Sequence, residues 1–209
     1  MEPYEPDSHI LWLESTDSTN KALRMRSAGF DNLSIVAARE QTAGRGQGDH
    51  TWFASPGKNL TFSVLYRFAG AFALAAQDAI LITQVTTLAL RDYLLEHQVE
   101  ARIKWPNDIW VGDRKVCGIL IENTLEGSAI RESIVGIGLN LNETDWPAEL
   151  PNPVSLRELT GRTYVPEDEL VRLYKEICHR FGMLASTDGR KSLQEEFGKV
   201  MFRLREEPK

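Results

Sequence analysis

Lys104-Trp105-Pro106-Asn107-Asp108, then Asp113-Arg114-Lys115-Val116-Cys117-Gly118-Ile119-Leu120-Ile121-Glu122, then Val135-Gly136-Ile137-Gly138-Leu139-Asn140-Leu141-Asn142 are the runs that decide the fold. Residues 101–105 have strand length and stop at a proline, which cannot donate to a β-ladder. Residues 108–111 and 115–125 read as two further strands, with Gly112-Asp113 between them as a hairpin turn. Glu126-Gly127-Ser128 turns the chain again, and residues 130–142 return as a strand. Short strands joined by tight turns pair antiparallel, so this stretch is a cluster of adjacent antiparallel strands.

Upstream, residues 60–68 alternate β-branched and aromatic residues with small polar ones, another strand. A loop spans 41–58, and residues 33–39 form a short apolar strand. Residues 21–28 form a helix ending at Gly29, preceded by Asp17-Ser18-Thr19-Asn20, each of which can cap a helix. Residues 9–13 are extended, and residues 1–8, with two prolines and three acids, form a loose lead-in. The longest helical pattern runs over 73–96, with Ile80, Leu81, Val85, Leu88 and Leu95 near one face. Downstream, residues 142–153 are polar, carry three prolines and form a loop. A short helix starts at Ser155, a second runs over 166–184 with proline at its first position, and a third over 190–203. The expected class is α+β, a mixed, largely antiparallel sheet flanked by helices.

The composition fits one soluble domain. The 209 residues are 42% hydrophobic and 26% charged, enough for a sizeable core without staples. Lys+Arg 24 against Asp+Glu 30 gives a net charge of -6, which argues against attachment to nucleic acid by charge. Two cysteines, Cys117 and Cys178, exclude a disulfide framework and a four-thiolate zinc site. Cys117 reads as a buried small hydrophobe. The 4 histidines lack ligand spacing, so no structural metal is expected. No signal peptide is legible, and Gln77, Asp78, Gln84, Arg91 and Asp92 break the most apolar stretch too often for a membrane span. A cytoplasmic location is expected.

Three segments could carry chemistry. The loop Gln41-Thr42-Ala43-Gly44-Arg45-Gly46-Gln47-Gly48-Asp49-His50-Thr51-Trp52 offers backbone N–H groups and a guanidinium fork to an anion. It lacks the Gly-Lys-Ser/Thr of a P-loop and the spacing of a dinucleotide fingerprint. A plain flexible surface loop is the equally open alternative. Lys104-Trp105-Pro106-Asn107-Asp108 gathers a cation, an aromatic face and an amide–carboxylate pair at one strand end. Lys115 opens an apolar strand, where its ammonium could sit at a pocket mouth. Read bare, these charges more often decorate solvated turns. Gly118 inside a strand suggests a close neighbour. Gly136-Ile137-Gly138 marks either tight sheet packing or a smooth pocket floor, with Asn140 as an oriented amide.

Taken in order, these motifs resemble a biotin–protein ligase over residues 10–142. The most specific part is the Lys104–Asp108 block followed by Arg114-Lys115 and Gly118–Glu122. The resemblance implies a catalytic domain shared in fold with lipoate–protein ligases. It implies ATP-dependent activation of biotin to biotinyl-5′-AMP, then transfer to one lysine of a carboxyl-carrier domain of a biotin-dependent carboxylase. Ser18, Thr19, Asn20, Gln41, Arg45, Gly46, Gln47, Lys115 and Gly118 match biotin-side positions. Trp52, Lys104, Asn107 and Asn140 match nucleotide-side positions. Lys115, Arg45 and Asp108 are the implied catalytic groups, with Mg²⁺ accompanying ATP and Asp108 placed to help organise it or to accept a proton. The loop 44–52 is the expected mobile cover.

The whole chain, 1–209, is expected to be a single catalytic domain, with a motif-bearing core over 9–142 and helices over 155–209. Sixteen residues precede Asp17, so no DNA-binding domain and no nucleic-acid or membrane partner is expected. A homodimer is allowed. The family's small C-terminal β-barrel is not expected within this length. Asp49 puts a negative charge beside the phosphate path, where weaker adenylate retention is expected, and Gln47 departs from the family's further arginine. The rival readings are a lipoate–protein ligase of the same fold and a module that binds biotin or biotinyl-AMP without transfer.

Overall fold

A computed structural model of the protein describes residues 9–48 and 50–202. The lead-in over 1–8, Asp49 and the end of the last expected helix at Arg203 lie outside the described residues. One mixed sheet carries nine strands in the order β1-β2-β3-β8-β7-β6-β5-β9, with β4 beside β8. They are β1 (Ile10–Thr16), β2 (Ile35–Gln41), β3 (Leu60–Arg67), β4 (Leu74–Ala75), β5 (Arg102–Lys104), β6 (Asp108–Val111), β7 (Arg114–Glu126), β8 (Ala129–Leu139) and β9 (Met201–Phe202). Only the outer pairs β1/β2 and β5/β9 are parallel. The central strands are antiparallel, as the tight turns require; Gly112 takes φ +60° in the β6–β7 hairpin.

Helices cover both faces. On one face α1 (Thr19–Arg24) packs on β2, β3 and β8. Ala22 and Leu23 meet Val36, Leu65 and Ile134 there in a small apolar cluster. On the other face lie α2 (Ile80–Glu96), α4 (Pro166–Gly182) and α5 (Thr187–Val200), over the main core of Phe62, Val64, Tyr66, Val135, Ile137 and Leu139. Cover on both faces explains why β3 is buried along almost its whole length. The short α3 (Leu156–Thr160) starts with a capping box, in which Glu158 N–H donates to Ser155 Oγ and Ser155 N–H donates back to Glu158.

Four sequence expectations shift, one of them at the end of the last helix, where Met201 and Phe202 pair with β5 as a strand. Residues 73–79 are not α-helical: Leu74 and Ala75 pair with Ile130 and Ala129, Ala76–Asp78 form a 3₁₀ turn, and α2 begins at Ile80. Small apolar residues with no breaker carry the helical pattern too far upstream, and an edge pairing wins. Leu95 is 48% exposed rather than on the buried face, while Tyr93 and Leu94 beside it are fully buried. The first helix ends at Arg24, and a separate 3₁₀ turn, Ser27–Gly29, finishes the connection. Cys117 is fully buried as expected, and burial pushes its thiol far up.

Candidate active site

The period-2 alternation of the strands builds the floor of the site. Register sets Ser63 opposite Gly136, Thr61 opposite Gly138, and Gly118 opposite Gly138 on the next strand. These small residues therefore share the α1 face, while Phe62, Ile137 and Ile119 point into the main core. Where the glycines leave this floor bare, two other side chains lie against it. A Cβ at Gly136 would sit 2.3 Å from Asn20 Oδ1, and one at Gly138 2.3 Å from the Trp52 indole. At Gly118 it would meet Trp52 at 2.8 Å and Lys115 at 3.2 Å, the close neighbour that a glycine in this strand suggests.

Over this floor opens a cavity of about 430 Å³, lined by α1, the 41–53 loop, the start of β7 and the 142–153 loop. That is the size of an ordinary small-molecule site. Ser18, Thr19, Asn20 and Gln41 form one polar wall. Thr19 donates from its backbone N–H and its hydroxyl to Gln41 Oε1, at 2.8 and 3.1 Å. Gln41 is thereby oriented with its Nε2 hydrogens left for another acceptor. The Ser63 hydroxyl lies 2.6 Å from Asn20 Oδ1 and 2.8 Å from Thr19 Oγ1, which fixes both side chains from below. Ser18 is the N-cap of α1 by position, yet its hydroxyl makes no capping bond.

Lys115 and Asp108 face the opposite wall as an ion pair, Nζ to Oδ1 2.8 Å, each about one third exposed. The Lys115 ammonium also lies 5.6 Å from the centre of the Trp52 ring. Both backbone groups of Lys115 are tied to the 142–153 loop, its N–H donating to Asn152 O at 2.8 Å and its carbonyl accepting from Val154 N–H at 3.0 Å. The Asn140 side chain donates to the carbonyls of Lys115 (3.2 Å) and Val154 (3.1 Å). Its two amide hydrogens are thus spent on this junction, and only its oxygen remains for a ligand.

Arg45, Gly46 and Gln47 also line the cavity. Gly46 N–H donates to His50 O at 2.7 Å and Trp52 N–H to Gly44 O at 3.0 Å, closing a tight irregular hairpin. Arg45 is 60% exposed and reaches Glu122 at 3.4 Å. Asp49, with the charge effect expected of it, lies outside the described residues.

Two expected nucleotide-side residues are not brought to the wall. Lys104 turns away and lies 4.0 Å from the centre of the Trp110 ring. Asn107 uses its carbonyl to accept from Ile119 N–H at 3.1 Å, and its side chain is not part of the lining. Asp108 is taken up by Lys115, and the described residues contain no group of three or more His, Cys, Asp or Glu side chains that could hold a metal ion. They therefore offer no ready cage for Mg²⁺. Sequence reading missed His50, Phe53, Trp146 and Leu150, which complete the walls. Trp146 could have been suspected as a large aromatic in a polar, proline-rich loop; its indole N–H donates to Glu158 at 3.0 Å.

The model of the biotin/lipoate A/B protein ligase family matches residues 12–140, and the chain belongs to that family. Among individual relatives it is 38% identical over 165 residues to the biotin–[acetyl-CoA-carboxylase] ligase of Paracoccus denitrificans, a match covering 76% of this chain and 67% of that protein. It is 30% identical to the bifunctional ligase/repressor BirA of Bacillus subtilis, covering 73% of this chain but only 47% of the relative. Among solved structures, the biotin protein ligase from Aquifex aeolicus in complex with biotin and ATP superposes with a TM-score of 0.76 at 26% identity, over 94% of this chain and 79% of that one. No helix among the described residues is long and apolar enough to cross a membrane.

Proposed function

We propose that the chain is a biotin–protein ligase, a biotin–[acetyl-CoA-carboxylase] ligase in class, acting as one catalytic domain. The observation that carries this reading is the convergence of Thr19, Gln41, Arg45, Trp52 and Lys115 on one cavity in a chain of this family. The named relatives are biotin ligases, which favours biotin over lipoate.

In this reading the apolar floor and the Ser18–Thr19–Asn20–Gln41 wall hold biotin, with the pre-oriented Gln41 amide and the Ser18 hydroxyl as hydrogen-bond partners for its ureido group. Trp52 offers an aromatic face to the adenine. The biotin carboxylate oxygen attacks the α-phosphorus of ATP, a P–O bond to the leaving pyrophosphate breaks, and biotinyl-5′-AMP forms. Two anions must meet, so positive charge is needed where it builds up on the phosphoryl oxygens; Lys115 and Arg45 supply it. Asp108 holds the Lys115 ammonium in place until the phosphate competes for it. ATP would bring its own Mg²⁺, since the described residues provide no dedicated set of ligands. In the second step a carrier-domain lysine attacks the acyl carbon, the bond to phosphate breaks, AMP leaves, and Asp108 accepts the amine proton. Gln47 and Gly118 belong to the biotin side, Asn140 to the nucleotide side through its oxygen. The carrier domain is the protein partner, and the two free cysteines suit a reducing compartment such as the cytoplasm.

The test is biotin-dependent exchange between ATP and pyrophosphate, followed by transfer of labelled biotin to a purified carboxyl-carrier domain. Exchange with transfer is expected. Biotin binding with neither activity would favour the binding-module reading.

A further inference from the structure

Glu122 closes the Gly118–Glu122 run, and the reaction as proposed gives it no part. Its carboxylate lies on the α1 face of the sheet, opposite Ile134 on β8. It collects three donors from two separate segments. Oε2 accepts from Asn20 Nδ2 at 2.9 Å and from Arg24 at 3.1 Å, both on α1. Oε1 accepts from Arg45 at 3.4 Å, in the glycine hairpin. The two ends of this bridge are not equally held. Asn20 is also fixed by Ser63 and wedged over Gly136, whereas Glu122 is the side chain to which Arg45 is bonded.

We propose that Glu122 is a positioning residue whose carboxylate sets the glycine hairpin against α1 and keeps the Arg45 guanidinium at the cavity wall. An anionic ligand carrying phosphate would then find that guanidinium already in place instead of recruiting it from solvent. The identity of the anion, a nucleoside triphosphate, rests on the ligase reading; the tether itself does not. Because the two carboxylate oxygens serve different segments, the two functions separate by substitution. Glu122→Gln keeps one acceptor for the better buried Asn20 but loses the charge that holds Arg45. Glu122→Ala removes both supports. A purely coulombic influence has the opposite sign, since deleting a carboxylate beside an anion site strengthens anion binding.

The experiment compares the full chain with Glu122→Gln and Glu122→Ala. Tryptic cleavage of the ligand-free protein at the Arg45–Gly46 bond, followed by mass spectrometry, reads the tether. KM values for ATP and for biotin in the exchange reaction read its consequence. Glu122→Gln should be cut several-fold faster at Arg45 and should raise the KM for ATP about threefold to fivefold, as expected for a partly exposed ion pair, with the KM for biotin unchanged. Glu122→Ala should raise both. Unchanged cleavage at Arg45, a lower KM for ATP in Glu122→Gln, or equal shifts in both KM values would overturn the proposal. A wild-type protein without exchange would defeat the ligase reading alone, because cleavage at Arg45 still decides the tether.

Discussion

A methyl group on residue 138 would stand 2.3 Å from the Trp52 indole, so Gly138→Ala must displace that ring. The strand backbone at residue 138 has no positive φ to resist alanine, and the nearest atoms to the new methyl all belong to the indole. The expected outcome is a protein that folds with near-normal stability while its KM for ATP rises at least tenfold; an unchanged KM would mean that Trp52 does not serve the nucleotide. Lys115 is a complementary case. Its backbone bonds to Asn152 and Val154 survive any substitution except proline, whereas its ammonium is available to a developing charge. Lys115→Ala should therefore lower adenylate formation by about a hundredfold or more with little change in melting temperature. Near-normal exchange by that variant would remove Lys115 from the reaction.

At the scale of elements, polar contacts decide how the helical layer is held. Arg180 on α4, 9% exposed in its side chain, bonds Asp92 on α2 at 2.6 Å and Glu196 on α5 at 2.6 and 2.8 Å. One guanidinium thus joins three helices. Replacing it with methionine leaves two half-buried carboxylates without their cation, and a loss of about 3 kcal/mol in urea unfolding is expected. Nearby, Tyr93 on α2 and His97 just past its end both reach Glu169 on α4, at 2.7 and 2.9 Å; burial, then the Glu169 carboxylate, drives the Tyr93 hydroxyl far above its usual range and keeps it a donor. The α3 capping box matters to the site as well, because Glu158 also receives the Trp146 indole. Ser155→Ala should cost about 1 kcal/mol.

At the scale of the molecule, these carboxylates set the response to acid. The hydrogen bond from Arg180 holds Glu196 below its ordinary 4.5. For Glu143, burial by itself raises the value, but hydrogen bonds from Ser55, Lys58 and the amides of Asp145 and Thr144 outweigh it and leave it lowered. A carboxylate lowered in the folded state contributes stability above its unfolded value, and that contribution is lost as pH falls through the folded value. Glu176 works the other way, raised by burial and then by Asp92 and Glu96. Melting temperature should therefore hold steady down to about pH 5 and drop steeply below the ordinary value of 4.5. In Glu196→Gln the protein should start less stable and lose less over the acid range; an equal acid slope would dismiss the Glu196 contribution.

The central sheet was legible because strand length, turn glycines and the prolines are local signals, and local sterics decide them. The order β8-β7-β6-β5 follows from such signals, and the resemblance in the motifs pointed to the right family. The departures share one cause. Residues 73–79 leave the helical pattern for a pairing with β8, and β9 closes the sheet by meeting β5 about a hundred residues upstream, partners that no window of sequence contains. The same holds in the site. The motifs named Arg45, Lys115 and the glycines, but they could not say that Asp108 would be paired with Lys115, that Lys104 would lie over Trp110, or that Glu122 would join α1 to the glycine hairpin. Residue type and spacing determine which groups are offered and on which face of a strand they stand; distances between segments remote in the chain, and hence which charge meets which, are decided only when packing brings them together.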